Sequence, residues 1–457
     1  MSGNNEKNEN TKKAKALNVL TRVAQSGMLS GKNTSAVLLT LPELRLNSQF
    51  MGAVKGVKGA GGRTRVMYAA FTGNMDELQK LVTAKNVNEA DITGQTALLF
   101  ATFQEHADAV RFLVEKGADV NRQTRDGNTA LHMAVYKNNL EIARFLCENG
   151  ADVNMGAERY SPIHLAAGYA NVSAEFLEML CAHGGKVNLS GLQGTPLHMV
   201  REPEGEQKVD VLCRFGANIE ARVTNSVYNG HTPLLMACEM PNNHGIIRAL
   251  CEKGADVNVT STERFTNGMT PLMLVCRNKS SDGSVTALCE FGSDKELVVD
   301  GKTPLVLSID RTNGPPSEGV VRELLEQGAN PSGPAFNGET PLGFAVSQQN
   351  IPAIRAICQF AQSRGVDVGI EAAVKSVNRK LLENQTALGR IEMRAQPDVR
   401  RKRELNKENE ELNEMLKVLT TPATSTASTA FPRGGGGSSR KTRKQGNRKN
   451  RKSRSRK

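Results

Sequence analysis

The chain holds eight Cys and seven His, the residue types best suited to metal binding and nucleophilic chemistry. A zinc site usually sets two Cys two to four residues apart so that both thiolates reach one ion. Here at least twelve residues separate any two Cys. His132, His164 and His198 each follow a Thr or Ser by three positions, in the strings T-A-L-H, S-P-I-H and T-P-L-H. No H-E-x-x-H, G-x-S-x-G or kinase set of motifs occurs, and no nucleophile has a base in a recognisable pattern. Gly52–Gly62 reads GAVKGVKGAGG, but the phosphate-loop string G-x-x-x-x-G-K-[ST] is absent. The sequence thus offers no catalytic residue, no metal ligand and no cofactor site, and the protein is expected not to be an enzyme.

The elements that hold these residues repeat. T-R-V-M-Y-A starts at Thr64 and T-A-L-L-F-A at Thr96. T-A-L-H-M-A starts at Thr129, S-P-I-H-L-A at Ser161 and T-P-L-H-M-V at Thr195. T-P-L-L-M-A, T-P-L-M-L-V, T-P-L-V-L-S and T-P-L-G-F-A start at Thr232, Thr270, Thr303 and Thr340. The spacings are 32, 33, 32, 34, 37, 38, 33 and 37 residues. A second marker, such as EKGADVN at 115–121, follows about twenty residues after several of these starts. Thr suits a helix N-cap and Pro the first helical position. The Gly of the second marker suits the left-handed residue that ends a helix. Each unit therefore predicts a helix, a second helix and a turn, and one unit buries its apolar face only against its neighbours.

This pattern resembles the ankyrin repeat family, whose signature is T-P-L-H-x-A at a period near 33. The resemblance spans roughly residues 63–370 and nine repeats. It implies an all-α solenoid of paired antiparallel helices, with the His of T-P-L-H tying neighbouring loops together. It also implies that partners bind the turn tips and the exposed end of the first helix, on the concave face. Insertions around Glu202–Glu206, Met240–His244 and Thr312–Ser317 are expected to bulge where first helices end. All eight Cys fall at repeat positions that are small and buried: Cys147, Cys181, Cys213, Cys251 and Cys289 each precede a helix-ending Gly by three residues.

Seven and eight residues after the repeat start, the first four repeats carry Phe71, Phe103, Tyr136 and Tyr169. Tyr160 and Tyr228 fall on turn tips, and Arg159 and Lys137 flank the column. Aromatics make up only 4% of the chain, and they are enriched at interface hot spots. A protein partner on Phe71, Phe103, Tyr136, Lys137, Arg159, Tyr160 and Tyr169 is the expectation. Packing of the Phe rings between repeats is the alternative. Later repeats place Glu202, Glu239, Arg277, Asp310 and Arg311 there, a charged mixture.

The 457 residues carry a net charge of +12. Residues 440–457 hold eleven Lys/Arg and no Asp/Glu, leaving 48 basic against 47 acidic residues elsewhere. Arg440, Lys441, Arg443, Lys444, Arg448, Lys449, Arg451, Lys452, Arg454, Arg456 and Lys457 form a run suited to nuclear import, to RNA or another polyanion, or to solubility. Residues 420–457 are Ser/Thr/Gly-rich and then basic, and are expected to be disordered. Residues 1–62 form an extension with a short helix at Thr11–Gln25 and the Gly-rich linker. Residues 371–419 predict a helical cap or a short coiled coil, with Leu405, Leu412 and Leu419 seven apart and Leu416 on the same seam. Lys407-Glu408-Asn409 spells a KEN destruction box, which chance explains in so Lys/Glu/Asn-rich a segment. No apolar run reaches the ~18–20 residues of a membrane helix. The expected protein is a scaffold in nucleus or cytoplasm without membrane or small-molecule substrate. The alternative is an RNA-associated factor acting mainly through its tail.

Overall fold

The computed structural model describes residues 60–156, 160–201, 205–224, 228–262, 266–280, 283–314, 317–333, 338–392 and 399–421. The Thr11–Gln25 helix, Arg159 and the basic tail lie outside them. Twenty α-helices and no β-strand occur among the described residues.

Nine pairs come first: α1 Arg65–Thr72 with α2 Met75–Leu81, α3 Ala97–Phe103 with α4 Ala107–Glu115, and α5 Ala130–Tyr136 with α6 Leu140–Glu148. Then come α7 Pro162–Gly168 with α8 Ala174–Ala182, α9 Pro196–Met199 with α10 Glu206–Arg214, and α11 Pro233–Cys238 with α12 His244–Glu252. The last three are α13 Pro271–Asn278 with α14 Ser284–Glu290, α15 Pro304–Ile309 with α16 Glu318–Glu326, and α17 Pro341–Ser347 with α18 Ile351–Arg364. Two longer helices follow, α19 Ile370–Glu392 and α20 Val399–Thr420. First helices stack on first helices and second on second, so the pairs form two parallel rows.

Each repeat start is an N-cap, from Thr64 through Thr340, with extended backbone ahead of the helix. In six repeats the Thr hydroxyl accepts the N–H three residues on, as Thr340 does from Gly343 at 3.2 Å. Pro occupies the first helical turn in α7, α9, α11, α13, α15 and α17. Gly150, with φ 86°, ends α6 in the left-handed region expected of that position. One continuous apolar core runs from Val66 to Leu419, with Phe176 its largest fully buried side chain.

Neighbouring turns are stitched by side chains. The Asn88 amide accepts from the Asp119 N–H at 2.8 Å and donates to the Gly117 carbonyl at 3.0 Å. Asn121 repeats both bonds with Asp152 and Gly150, Asn154 with Lys186 and Gly184, and Asn188 with Asn218 and Gly216. Glu220 and Glu296 keep only the accepting half, from Asp256 and Asn330. Along the second-helix row the bridges are exposed ion pairs instead: Arg111–Glu141 at 2.7 Å, Arg214–Glu178 at 3.0 Å, Arg248–Glu290 at 2.6 Å.

The last two helices continue both rows. α19 stacks on α17 and α20 on α18, and α19 and α20 pack on each other as an antiparallel hairpin. Leu405, Leu412 and Leu419 are buried, as the seven-residue seam requires, but Met415 joins them and Leu416 stays partly exposed. That seam lies against α18 and α19 of the same chain. Asn384, the polar interruption in the α19 stripe, is buried and donates to Asn409 at 3.0 Å. The same Asn409 belongs to the Lys-Glu-Asn triplet, whose Glu408 lies 3.8 Å from Lys380.

Candidate partner-binding surface

The three T-x-L-H imidazoles join each first helix to the next turn. The Nδ1 of His132 accepts from the Thr129 N–H at 3.1 Å, which makes Nε2 the donor to the Tyr160 carbonyl at 3.0 Å. His198 repeats this with the Thr195 N–H and the His231 carbonyl, both at 3.1 Å. His164 takes the Ser161 hydroxyl at 2.8 Å and donates toward the Leu189 and Gly194 carbonyls. Burial lowers all three below an ordinary imidazole, His132 and His198 to about 4. They are neutral struts, not acid–base groups. His106 reaches back instead, with Nε2 3.2 Å from the Phe71 carbonyl.

The cysteines are chemically quiet. Burial raises Cys147 and Cys251 to about 12, and Cys181 and Cys358 to about 11. Cys213 and Cys289 correct the expectation of eight buried thiols, for both are half-buried. Each is the next-to-last residue of a second helix. No group of three His, Cys, Asp or Glu that could hold a metal occurs among the described residues. None of their helices is long and apolar enough to cross a membrane.

What remains is the row of first-helix ends. Phe103, at the end of α3, stacks on Tyr136 of α5 at 6.4 Å, and Tyr136 meets Tyr169 edge-on at 6.2 Å. Three of the four expected column residues therefore form one ladder. Phe71 departs from it and packs edge-on against Phe100 at 6.1 Å, under the guanidinium of Arg63. Phe100, four residues after Thr96, is half-buried. All five Tyr are half-buried, so the rings serve inter-repeat packing on one side and face outward on the other. The Lys137 ammonium sits 4.3 Å above the Phe103 ring. Tyr160, on the turn held by His132, faces the same region as Tyr169 and raises its phenol pKa behind burial and Tyr136.

Arg201 carries no motif that would have singled it out, yet it lies near Tyr228 and Tyr160. It donates to the His198 carbonyl and to Gln193, both at 3.0 Å, and its guanidinium lies 5.5 Å from the centre of the Tyr228 ring. Burial lowers its pKa, against the opposing effect of Tyr228 and Tyr160. Below it, His231 is buried with neither ring nitrogen hydrogen-bonded, 3.7 Å from Glu239.

A family model described as ankyrin repeats in three copies matches residues 37–124, 66–157, 119–191 and 163–261. The protein is an ankyrin-repeat chain. Among solved structures, the crystal structure of the human ASB11 ankyrin repeat domain is 28% identical, with a TM-score of 0.41. That match covers 51% of this chain and 99% of the other. No curated protein matches the chain. The ankyrin array matched by the family model contains the whole aromatic ladder, the three imidazole struts and Arg201. Repeats of this family are generally protein–protein interaction modules.

Proposed function

We propose that this protein is a non-enzymatic scaffold that binds a protein partner on the concave, first-helix face of its ankyrin array. The observation that carries the reading is the ladder Phe103–Tyr136–Tyr169, three scarce aromatics in contact across three repeats at helix ends that partly face solvent. Rigid rings bury much area at little entropic cost, and such residues dominate interface energetics. Lys137 and Tyr160 flank them, and Phe71 extends the surface through Phe100. Arg159 adjoins Tyr160 in sequence. Truncating Tyr136 to Ala should weaken a captured partner by about 2 kcal/mol or more while the array stays folded. Normal binding by a folded Tyr136→Ala protein would refute the reading.

The basic run at 440–457 supports a second role, in nuclear import or in contact with RNA or another polyanion. The protein would then work in the nucleus as well as the cytoplasm. If about six tail charges meet phosphates of single-stranded RNA, log K should fall with log[salt] at a slope near −4. Removing residues 440–457 should abolish both that binding and nuclear entry. An RNA-associated factor acting mainly through the tail is favoured if the truncation, and not Tyr136→Ala, removes function.

A further inference from the structure

Beyond repeat four the same register turns cationic. Arg201 follows α9, Arg277 is the penultimate residue of α13, Lys279 follows that helix, and Arg311 follows α15. Arg277 and Arg311 stand seven and eight residues after their repeat Thr, where the earlier repeats carry aromatics, and Arg201 and Lys279 lie one position to either side of that register. Carboxylates stand close by in sequence: Glu202 lies outside the described residues, and the structure uses Asp310 and Glu239 elsewhere. Asp310 is buried and held by Lys302 at 2.6 Å and by the Thr312 N–H at 2.9 Å. Glu239 faces His231.

The cations are held by neutral groups instead. Arg201 has the His198 carbonyl, Gln193 and the Tyr228 ring. Arg277 approaches the Met269 sulfur at 3.9 Å, Lys279 donates to the Gly314 carbonyl at 2.7 Å, and Arg311 donates to the Gln348 and Gln349 carbonyls at 3.2 and 3.1 Å. Lys137 has the Phe103 ring. None of the five has a carboxylate within ion-pair distance among the described residues. The second-helix row differs, since Arg111, Arg214, Arg248 and Lys253 each have one.

We propose that Arg201, Arg277, Lys279 and Arg311 form an anionic-peptide dock that continues the aromatic ladder and takes an extended, Asp/Glu-bearing segment of the partner protein. This rests on the partner-binding reading of the first-helix face. Neutral ligands fix the cations in place without a direct ion pair, although Asp310 lies near enough to Lys279 to act on its charge, so an arriving carboxylate gains a charge-assisted hydrogen bond without displacing an existing ion pair. The spacing fixes the ligand's pattern. Helices of successive repeats lie about 8–10 Å apart, and an extended chain rises about 3.3 Å per residue. One repeat therefore spans roughly three ligand residues. From Arg201 in repeat five to Arg277 in repeat seven is two repeats, and Arg311 is one more. The ligand's acidic residues should stand about six and then about three positions apart, with its apolar residues toward Tyr169. A nucleic acid is the poorer fit, because rings in mutual contact at 6.2 and 6.4 Å leave no slot for a base.

The test selects a randomised sixteen-residue peptide display library on the full chain and measures synthetic winners by titration calorimetry. Winners should carry Asp or Glu at separations near three and six, and Arg277→Gln and Arg201→Gln should each weaken them at least tenfold. Arg111→Gln, on the outer row, should leave them unchanged. Thermal melts followed by circular dichroism accompany each variant. Because Arg201 also bonds within its own repeat, Arg277→Gln decides if Arg201→Gln melts early. Winners without spaced acids that fail on Tyr136→Ala would sink this dock and leave the partner-binding face standing. Winners indifferent to Tyr136→Ala and to both Arg variants would sink both. A phosphoserine replacing the acid and binding tenfold tighter would overturn the carboxylate assignment. A single-stranded RNA oligomer that outcompetes every winner and is lost with Arg277→Gln would overturn it too.

Discussion

His132 Nε2 donates to the Tyr160 carbonyl at 3.0 Å, so the residue that caps a helix in repeat three also fixes the turn that carries a ring of the candidate interface in repeat four. The strut works only while the imidazole is neutral, because a protonated Nδ1 could not accept from the Thr129 N–H.

That requirement gives a pH dependence with a definite sign. Burial holds His132 and His198 at about 4, below the ordinary 6.5. The unfolded chain takes up protons that the folded chain refuses, so this stability is complete above pH 6.5 and is lost as pH falls toward 4. Each should forfeit about 2 kcal/mol by pH 5. Urea midpoints at pH 7 and pH 5 for the natural chain and His132→Gln would show it. The gap between the two proteins should narrow at pH 5; an unchanged gap excludes the imidazole as the source.

Asn121→Ala removes two bonds between neighbouring turns and should cost about 1–3 kcal/mol. Asn121→Asp keeps the acceptor for the Asp152 N–H and should cost less than Ala, as Glu220 and Glu296 already show the accepting half suffices for stacking. Equal melting temperatures for all three proteins would rule out the turn ladder as a stabilising element.

Thiol reagents should separate the cysteines by place. Cys213 and Cys289 should label first in the native protein, and the six buried thiols only on unfolding. Cys147→Ala should cost about 1–2 kcal/mol or less, and chelators should leave the melt unchanged. A stoichiometric metal in the purified protein would contradict this.

Buried Asn384 and half-buried Asn409 make a polar pair between α19 and α20. Asn409→Leu should cost about 1–3 kcal/mol because it strands the Asn384 amide, whereas the Asn384→Leu, Asn409→Leu pair should recover most of it. Additive losses across this double-mutant cycle would mean that the two side chains act independently.

The fold was legible wherever one residue type has one job. Thr64 and its eight counterparts had to be caps because a helix N-terminus needs a short side-chain acceptor, and the structure puts a cap at each. The surface was harder to read. Phe71 shares the register of the aromatic column, but its ring meets Phe100 and not Phe103. Arg201 escaped because α9 is only four residues long, so the side chain that meets Tyr228 stands six residues after Thr195, ahead of the expected Glu202. In α20 the leucine heptads pointed to Leu416, whereas packing against both α18 and α19 buries Met415, which flanks the seam on its other side.

The two edges of the array are tied differently, and this sets how it bends. Turns are joined by paired amide and carbonyl bonds at short, fixed length, and outer helices by exposed ion pairs that contribute little and weaken with salt. The molecule is thus hinged like a bound book, with the turns as its spine and the outer helices as leaves that fan apart. Flexing should change curvature far more than contour length, and added salt should soften that motion selectively. A partner on the first-helix face would then meet a surface whose arc adjusts while the order and spacing of its side chains hold.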